Sequence, residues 1–159
     1  MSPEEAIKND LERKFDFLNG NITIKRARRI FVDVPFERFH DVLDYMIKKM
    51  RCAMLSGITG LDEVENLAAI YHMSPEGKIM VNLKVKISRE KPHIKSIMQY
   101  FPIAEMYERE LEDLLGIHVD GLPEGRRYPL PDGWPKGEHP LRKDYKGAGL
   151  EMKLEGADA

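Results

Sequence analysis

Five of the chain's ten prolines, Pro123, Pro129, Pro131, Pro135 and Pro140, fall in one short span together with Gly121, Gly125, Gly133 and Gly137. Proline fixes φ and has no N–H, so this span can be neither a regular helix nor a central strand. Its composition also rules out a plain linker. Leu122, Tyr128, Leu130, Trp134, Leu141 and Tyr145 are interleaved with the pairs Arg126-Arg127 and Arg142-Lys143, whereas a disordered spacer is poor in aromatic anchors. An extended segment with spaced Trp, Tyr and Arg is what a chain lays along another protein's surface, because those residues dominate such contacts. The span therefore reads as a binding strap.

The stretch before it is helical. Tyr107, Leu111, Leu114 and Leu115 recur on one side at helical spacing, and Glu108, Arg109, Glu110, Glu112 and Asp113 cover the rest as a solvated or partner-facing side. Gly116 supplies the stop, as a glycine able to take the left-handed conformation past a helix end.

Toward the N-terminus, Ser2-Pro3-Glu4-Glu5 opens a first helix with a capping box, and Ile7, Leu11, Phe15 and Leu18 give its buried stripe. Residues 22–25 and 30–34 form two strands around the basic turn Lys25-Arg26-Ala27-Arg28-Arg29. Pro35 opens a second helix, with Phe36, Phe39, Val42, Leu43, Met46, Ile47 and Met50 as its packing face. Three strands follow, over residues 52–59, 66–74 and 78–88. In the last, Ile79, Val81, Leu83, Val85 and Ile87 alternate with Met80, Asn82, Lys84 and Lys86, so one face is buried and the other wet. Ser74-Pro75-Glu76-Gly77 has the chemistry of a hairpin turn. After Pro92 a short helix is expected from about His93 to Tyr100. The fold class is α+β: a mixed or antiparallel sheet with helices packed on one face, and an extended Pro/Gly-rich C-terminal tail. At 159 residues and 42% hydrophobic, the chain has room for one compact domain and an appendage. The expected division is a globular domain over residues 1–118 and an extended partner-binding tail over residues 119–159.

Charge and motifs restrict the chemistry. With 25 basic against 27 acidic residues there is no global field to draw the chain to nucleic acid or anionic lipid. The 33% charged content, rich in Lys and Glu, leans toward a heat-loving source. The single cysteine, Cys52, excludes an internal disulfide and an all-cysteine iron–sulfur cluster. No signal peptide and no long apolar run is present, so a soluble, cytoplasmic chain is expected. The phosphate, dinucleotide, zinc-protease and paired-cysteine motifs are all missing. The histidines His40, His72, His93, His118 and His139 lie far apart with no partner at ligand spacing, which disfavours a metal site. Glu108, Glu110, Glu112 and Asp113 crowd one helix rather than facing each other across a cleft, so they do not read as an acid–base pair. Two rival readings stand: a free-standing enzyme using Asp113, His118 or Cys52, and an RNA-binding module gripping phosphates with Arg26, Arg28 and Arg29.

The run Glu108-Arg109-Glu110, then Asp113, Gly116-Ile117, Gly121, Pro123, Arg126-Arg127, Leu130-Pro131, Trp134 and His139-Pro140-Leu141-Arg142-Lys143-Asp144-Tyr145 resembles the signature of the 30 kDa subunit family of respiratory complex I. Relatives of that subunit occur in membrane-bound, energy-converting [NiFe] hydrogenases. The resemblance covers the last third of the chain. It departs from the family pattern where Met106 replaces a tryptophan, where Gly121-Leu122-Pro123 stands for Gly-His-Pro, and where Glu138 is inserted before His139-Pro140. These departures, with the short chain, favour the hydrogenase-related or ferredoxin-linked branch over an NADH:quinone oxidoreductase proper. The resemblance implies a structural and assembly subunit with no catalytic residue, cofactor or metal of its own. It would sit peripherally on the cytoplasmic side of the membrane, in the hydrophilic arm, beside the large hydrogenase-type (49 kDa-like) subunit and the small iron–sulfur subunit. In that picture Arg126, Arg127, Arg142 and Lys143 bond the large subunit, and Leu130, Trp134 and Leu141 fill its pockets. Glu108, Arg109 and Asp113 brace the start of the strap.

Overall fold

The structure, a computed structural model, describes residues 1–147; the part of the expected tail over 148–159 lies outside the described residues. Helix α1 (Pro3–Lys14) starts as its sequence dictates. Ser2 Oγ accepts from the Glu5 amide and the Glu5 carboxylate accepts from the Ser2 amide, closing the capping box.

Strands β1 (Ile22–Arg26), β2 (Arg29–Val34), β3 (Met54–Asp62), β4 (Asn66–Ser74) and β5 (Met80–Ser88) form one sheet in the order β1-β2-β5-β4-β3. β2 and β5 run parallel and the other neighbours antiparallel, so the sheet is mixed. A parallel pair needs a crossover. Here it is helix α2 (Phe39–Lys48) followed by the β3–β4 hairpin.

Alternation selects the buried face. Val81, Leu83, Val85 and Ile87 of β5 and Leu67, Ala69, Tyr71 and Met73 of β4 are all buried. α2 covers them with Phe39, Val42, Leu43 and Met46, and the Phe39 and Tyr71 rings lie 4.6 Å apart. α1 joins the same layer, with Phe15 edge-on to Tyr45 of α2. Helix α3 (Ala104–Leu115) lies on β3, where Gly60 makes room: a Cβ there would run into the side chains of Leu111 and Leu115.

On the other face Asn82, expected to be wet, is fully buried. A polar ladder explains it: Thr59 Oγ1 lies 2.7 Å from His72 Nε2, His72 Nδ1 lies 2.7 Å from Asn82 Oδ1, and Asn82 Nδ2 donates to the Ile30 carbonyl at 2.8 Å. A buried amide is tolerable because both its ends are satisfied.

The expected helix over 93–100 is instead strand β6 (His93–Lys95) and a turn. β6 pairs in parallel with β7 (His118–Asp120), which follows α3. Ile94 and Val119, opposite each other, are the buried residues of this pair. A tripeptide with alternating burial after a proline follows whatever strand is offered, and that strand comes from a segment more than twenty residues away. Among the described residues no helix is long and apolar enough to cross a membrane.

Candidate partner-binding site

Helix α3 ends at Gly116, which takes φ 66 and ψ 31 and donates its N–H to the Glu112 carbonyl at 2.9 Å, while the Ile117 N–H reaches the Leu111 carbonyl at 3.1 Å. This glycine-terminated turn leaves the carbonyls of Asp113, Leu114 and Leu115 without helical partners. The proline-rich segment supplies them in order. His139 Nδ1 donates to the Asp113 carbonyl at 2.9 Å, the Leu141 amide to Leu114 at 3.0 Å and Arg142 Nε to Leu115 at 2.7 Å. The His-Pro-Leu-Arg run is thus a helix cap delivered from a distance, with the cationic Arg142 at the negative end of the helix dipole.

Asp113 is the anchor of the strap's middle. Its side chain accepts from Arg127 Nε at 2.9 Å and from the Leu130 amide at 3.0 Å, both charge-assisted. Arg127 also donates to the Trp134 carbonyl at 2.7 Å, and Trp134 Nε1 donates to the Glu138 carbonyl at 3.0 Å. Arg109, paired with Glu105 at 2.8 Å, donates to the Pro123 carbonyl at 2.8 Å. The strap passes close over this side chain: a Cβ on Gly125 would come within 2.6 Å of the Arg109 guanidinium, which would have to shift.

The far end is held by the sheet. Asp62, at the end of β3, accepts from Arg89 Nη1 at 2.6 Å, from the Lys143 amide at 2.8 Å and from the Val64 amide at 2.8 Å. Arg89 reaches Asp144 at 3.0 Å with its other nitrogen. The Arg89 guanidinium, helped by the two amides, holds the Asp62 carboxyl down at about 2. Tyr145 closes the segment with its amide on the Arg142 carbonyl at 3.1 Å and its ring 6.4 Å from that of Trp134.

These contacts revise the assignment of residues. Glu108, expected on the charged outer side of α3, is fully buried and accepts from Ser96 Oγ at 2.6 Å and the Ile97 amide at 2.7 Å. Burial pushes its carboxyl above the usual range, against those two bonds. It fastens the loop after β6 to α3, a role hidden in the sequence because Ser96 and Ile97 reach it only through the fold. Asp113, Arg127, His139 and Arg142 are likewise committed to the chain's own backbone and carboxylates, and Gly116 to its turn. The strap, expected to lie along another protein's surface, is thus also fastened to the chain's own helix and sheet.

Other expected site residues point outward. The Arg126 side chain is 90% exposed, 3.6 Å from Asp132. Tyr128, Pro131, Leu141, Lys143 and Asp144 are exposed, and Leu130, Trp134, Pro140 and Glu110 are half-buried. Ile103, the cap residue before α3, and Met106 on its first turn are both about half exposed. A groove of about 660 Å³ runs between α3 and the strap, lined among others by Met106, Arg109, Arg126, Tyr128 and Leu130. Apolar side chains rimmed by charge stand here on a backbone tied down at both ends.

The residues of the enzyme reading fare differently. Burial raises the Cys52 thiol to about 12, so it is no nucleophile near neutrality. Asp113 is consumed by the strap. His118, however, stands at the surface beside His93, a meeting invisible along the chain because β6–β7 pairing creates it.

The chain matches the family described as "Respiratory-chain NADH dehydrogenase, 30 Kd subunit" over residues 32–151. Among curated relatives, a subunit of the NADH-quinone oxidoreductase of Saccharopolyspora erythraea is 36% identical over 109 residues, 67% of this chain and 43% of that protein. A subunit of the F(420)H(2) dehydrogenase of Methanosarcina mazei is 32% identical over 145 residues, 89% of this chain and 91% of that one. The chain thus spans less than half of the first relative and nearly all of the second. Two solved structures share the fold. A chain of the membrane-bound sulfane sulfur reductase, an archaeal respiratory membrane complex, superposes with a TM-score of 0.83 at 23% identity, covering 99% of this chain and 94% of that one. A trypsin-resistant fragment of Nqo5 gives 0.63 at 24% identity, covering 72% and 98%. On the strength of the family match and these relatives, the chain belongs to the family of the 30 Kd subunit of respiratory-chain NADH dehydrogenase.

Proposed function

We propose that this chain is a structural and assembly subunit in the hydrophilic arm of a membrane-bound respiratory redox complex, and that it carries no catalytic group of its own. Its docking face is the outer side of the strap with the exposed edge of α3, and its partner is the large hydrogenase-type subunit, next to the small iron–sulfur subunit. The observation that carries this reading is the division of labour along the strap. One set of side chains ties it to α3 and Asp62, which leaves Arg126, Tyr128, Pro131 and Leu141 displayed with Met106 and Ile103 on a fixed backbone. Ordering the segment before association removes an entropy cost that a loose tail would bear on binding. Likeness over nearly the whole length of a subunit of F(420)H(2) dehydrogenase supports a complex that draws electrons from a donor other than NADH; within such complexes we assign the chain to the hydrogenase-related or ferredoxin-linked branch. A peripheral position on the cytoplasmic side goes with this assignment.

The test is co-purification of the full chain with the large subunit. Tyr128→Asp with Leu141→Asp alters two exposed side chains and keeps the groups that hold the strap, since Leu141 contributes to the cap through its amide alone. The variant is expected to keep its melting temperature and lose the large subunit. Assembly at the native level by this variant would overturn the proposed face. Arg142→Glu is a poorer probe, because it also uncaps α3.

A further inference from the structure

The β6–β7 pair brings three side chains together at the surface. His93 and His118 are directly opposite in register, with ring centroids 4.8 Å apart. Asp120, two residues beyond His118, points to the same side of its strand. Its Oδ1 lies 3.3 Å from His93 Nδ1 and 3.4 Å from His118 Nε2. One nitrogen from each histidine and one Asp120 oxygen all fall within 4.8 Å of one another.

Glu112, in the last turn of α3, makes this more than a chance cluster. Its Oε1 accepts from the Val119 amide at 3.0 Å and lies 3.3 Å from His118 Nδ1. A neutral imidazole has one N–H and one lone pair. Glu112 stands on the Nδ1 side of His118 and Asp120 on its Nε2 side, so the tautomer with its hydrogen toward Glu112 offers its lone pair where Asp120 Oδ1 stands, and a cation bound between them takes both as ligands. In a tetrahedral site with bonds of about 2.0–2.1 Å, neighbouring donor atoms stand about 3.3 Å apart, which is the spacing Asp120 Oδ1 already keeps from both rings. A carboxylate on the far nitrogen of a ligating histidine is the usual support for such a ligand.

We propose that His93, His118 and Asp120 form a surface site for a borderline divalent cation of the zinc or nickel class, with Glu112 as the positioning residue for His118. Two imidazoles select these ions over magnesium and calcium, which prefer all-oxygen sites. The three side chains are each more than half exposed, so the remaining position opens to water or to a donor from a neighbouring subunit. The backbone beneath is firm: the His118 amide donates to the Pro92 carbonyl at 2.7 Å, and the Ser96 amide to the Asp120 carbonyl at 2.9 Å. The bound ion would clip the segment after β5 to the segment after α3, at the point where the strap departs.

The experiment is calorimetric titration of the full, untagged, chelator-treated chain with zinc alone. One ion per chain is expected, unaffected by millimolar magnesium. His93→Ala and His118→Ala should each weaken binding more than about tenfold, and Glu112→Gln by about tenfold. Zinc should also raise the melting temperature of the native chain, but not that of His118→Ala. All the altered side chains except Glu112 are exposed, so the metal-free histidine variants should melt with the native chain. The absence of saturable binding, or binding indifferent to both histidine substitutions, would overturn the site.

Discussion

Asp113→Ala tests whether the strap is held by the chain's own helix. The native carboxylate receives two charge-assisted hydrogen bonds, from Arg127 Nε at 2.9 Å and the Leu130 amide at 3.0 Å. Such bonds contribute about 1.5–3 kcal/mol each. Arg127, whose side chain is 28% exposed, can turn to water once released, so its share falls at the low end. The sum is at least about 3 kcal/mol, on the order of a hundredfold or more in the equilibrium between docked and undocked strap. Most of this should appear as local opening, because Leu122, at the start of the strap, packs against the apolar core while Leu130 and Trp134 do not belong to it. Amide hydrogen exchange reads it directly. In Asp113→Ala the Leu130 N–H, together with the Trp134 N–H that bonds the Pro131 carbonyl, should exchange about a hundredfold faster. The Leu83 amide in the central strand β5 should keep its native rate. Asp113→Asn retains one acceptor oxygen without the charge and should fall between. Leu130 exchange within about threefold of the native rate in Asp113→Ala would refute the claim that α3 anchors the strap.

Gly116→Ala should destabilise the strap through two causes. A left-handed residue with a Cβ costs about 1–2 kcal/mol, and that Cβ would sit within 2.6 Å of the His139 ring and 2.9 Å of the Arg142 guanidinium. The cap on Asp113, Leu114 and Leu115 should open, seen as faster exchange of the Leu141 amide and earlier proteolysis after Arg142. Acid should release the far end. The Asp62 carboxyl is held at about 2, below its ordinary 3.8, so its contribution is fully present above about pH 4 and is lost as pH falls toward 2. The Lys143 amide should lose protection across that window in the native chain but show no such acid step in Asp62→Asn.

Much of the fold could be read from the order of residues alone, and for a local reason. The capping box at Ser2, the alternation in β5, the glycine after Leu115 and the prolines beyond it act within a few residues of themselves, so their consequences do not depend on what packs against them. The family signature is of the same kind, since it is spacing along one segment. What the tertiary structure decided were the pairings between distant segments. Three successive carbonyls of α3 wait for His139, Leu141 and Arg142; Glu108 turns inward because Ser96 and Ile97 stand beside it; and β6 is a strand because β7 is there to receive it. A hydrogen-bonding group announces in the sequence only that it needs a partner. Which partner it takes is settled when the chain closes on itself, and that closure made a strap written like a loose arm into a fixed surface and set His93 beside His118.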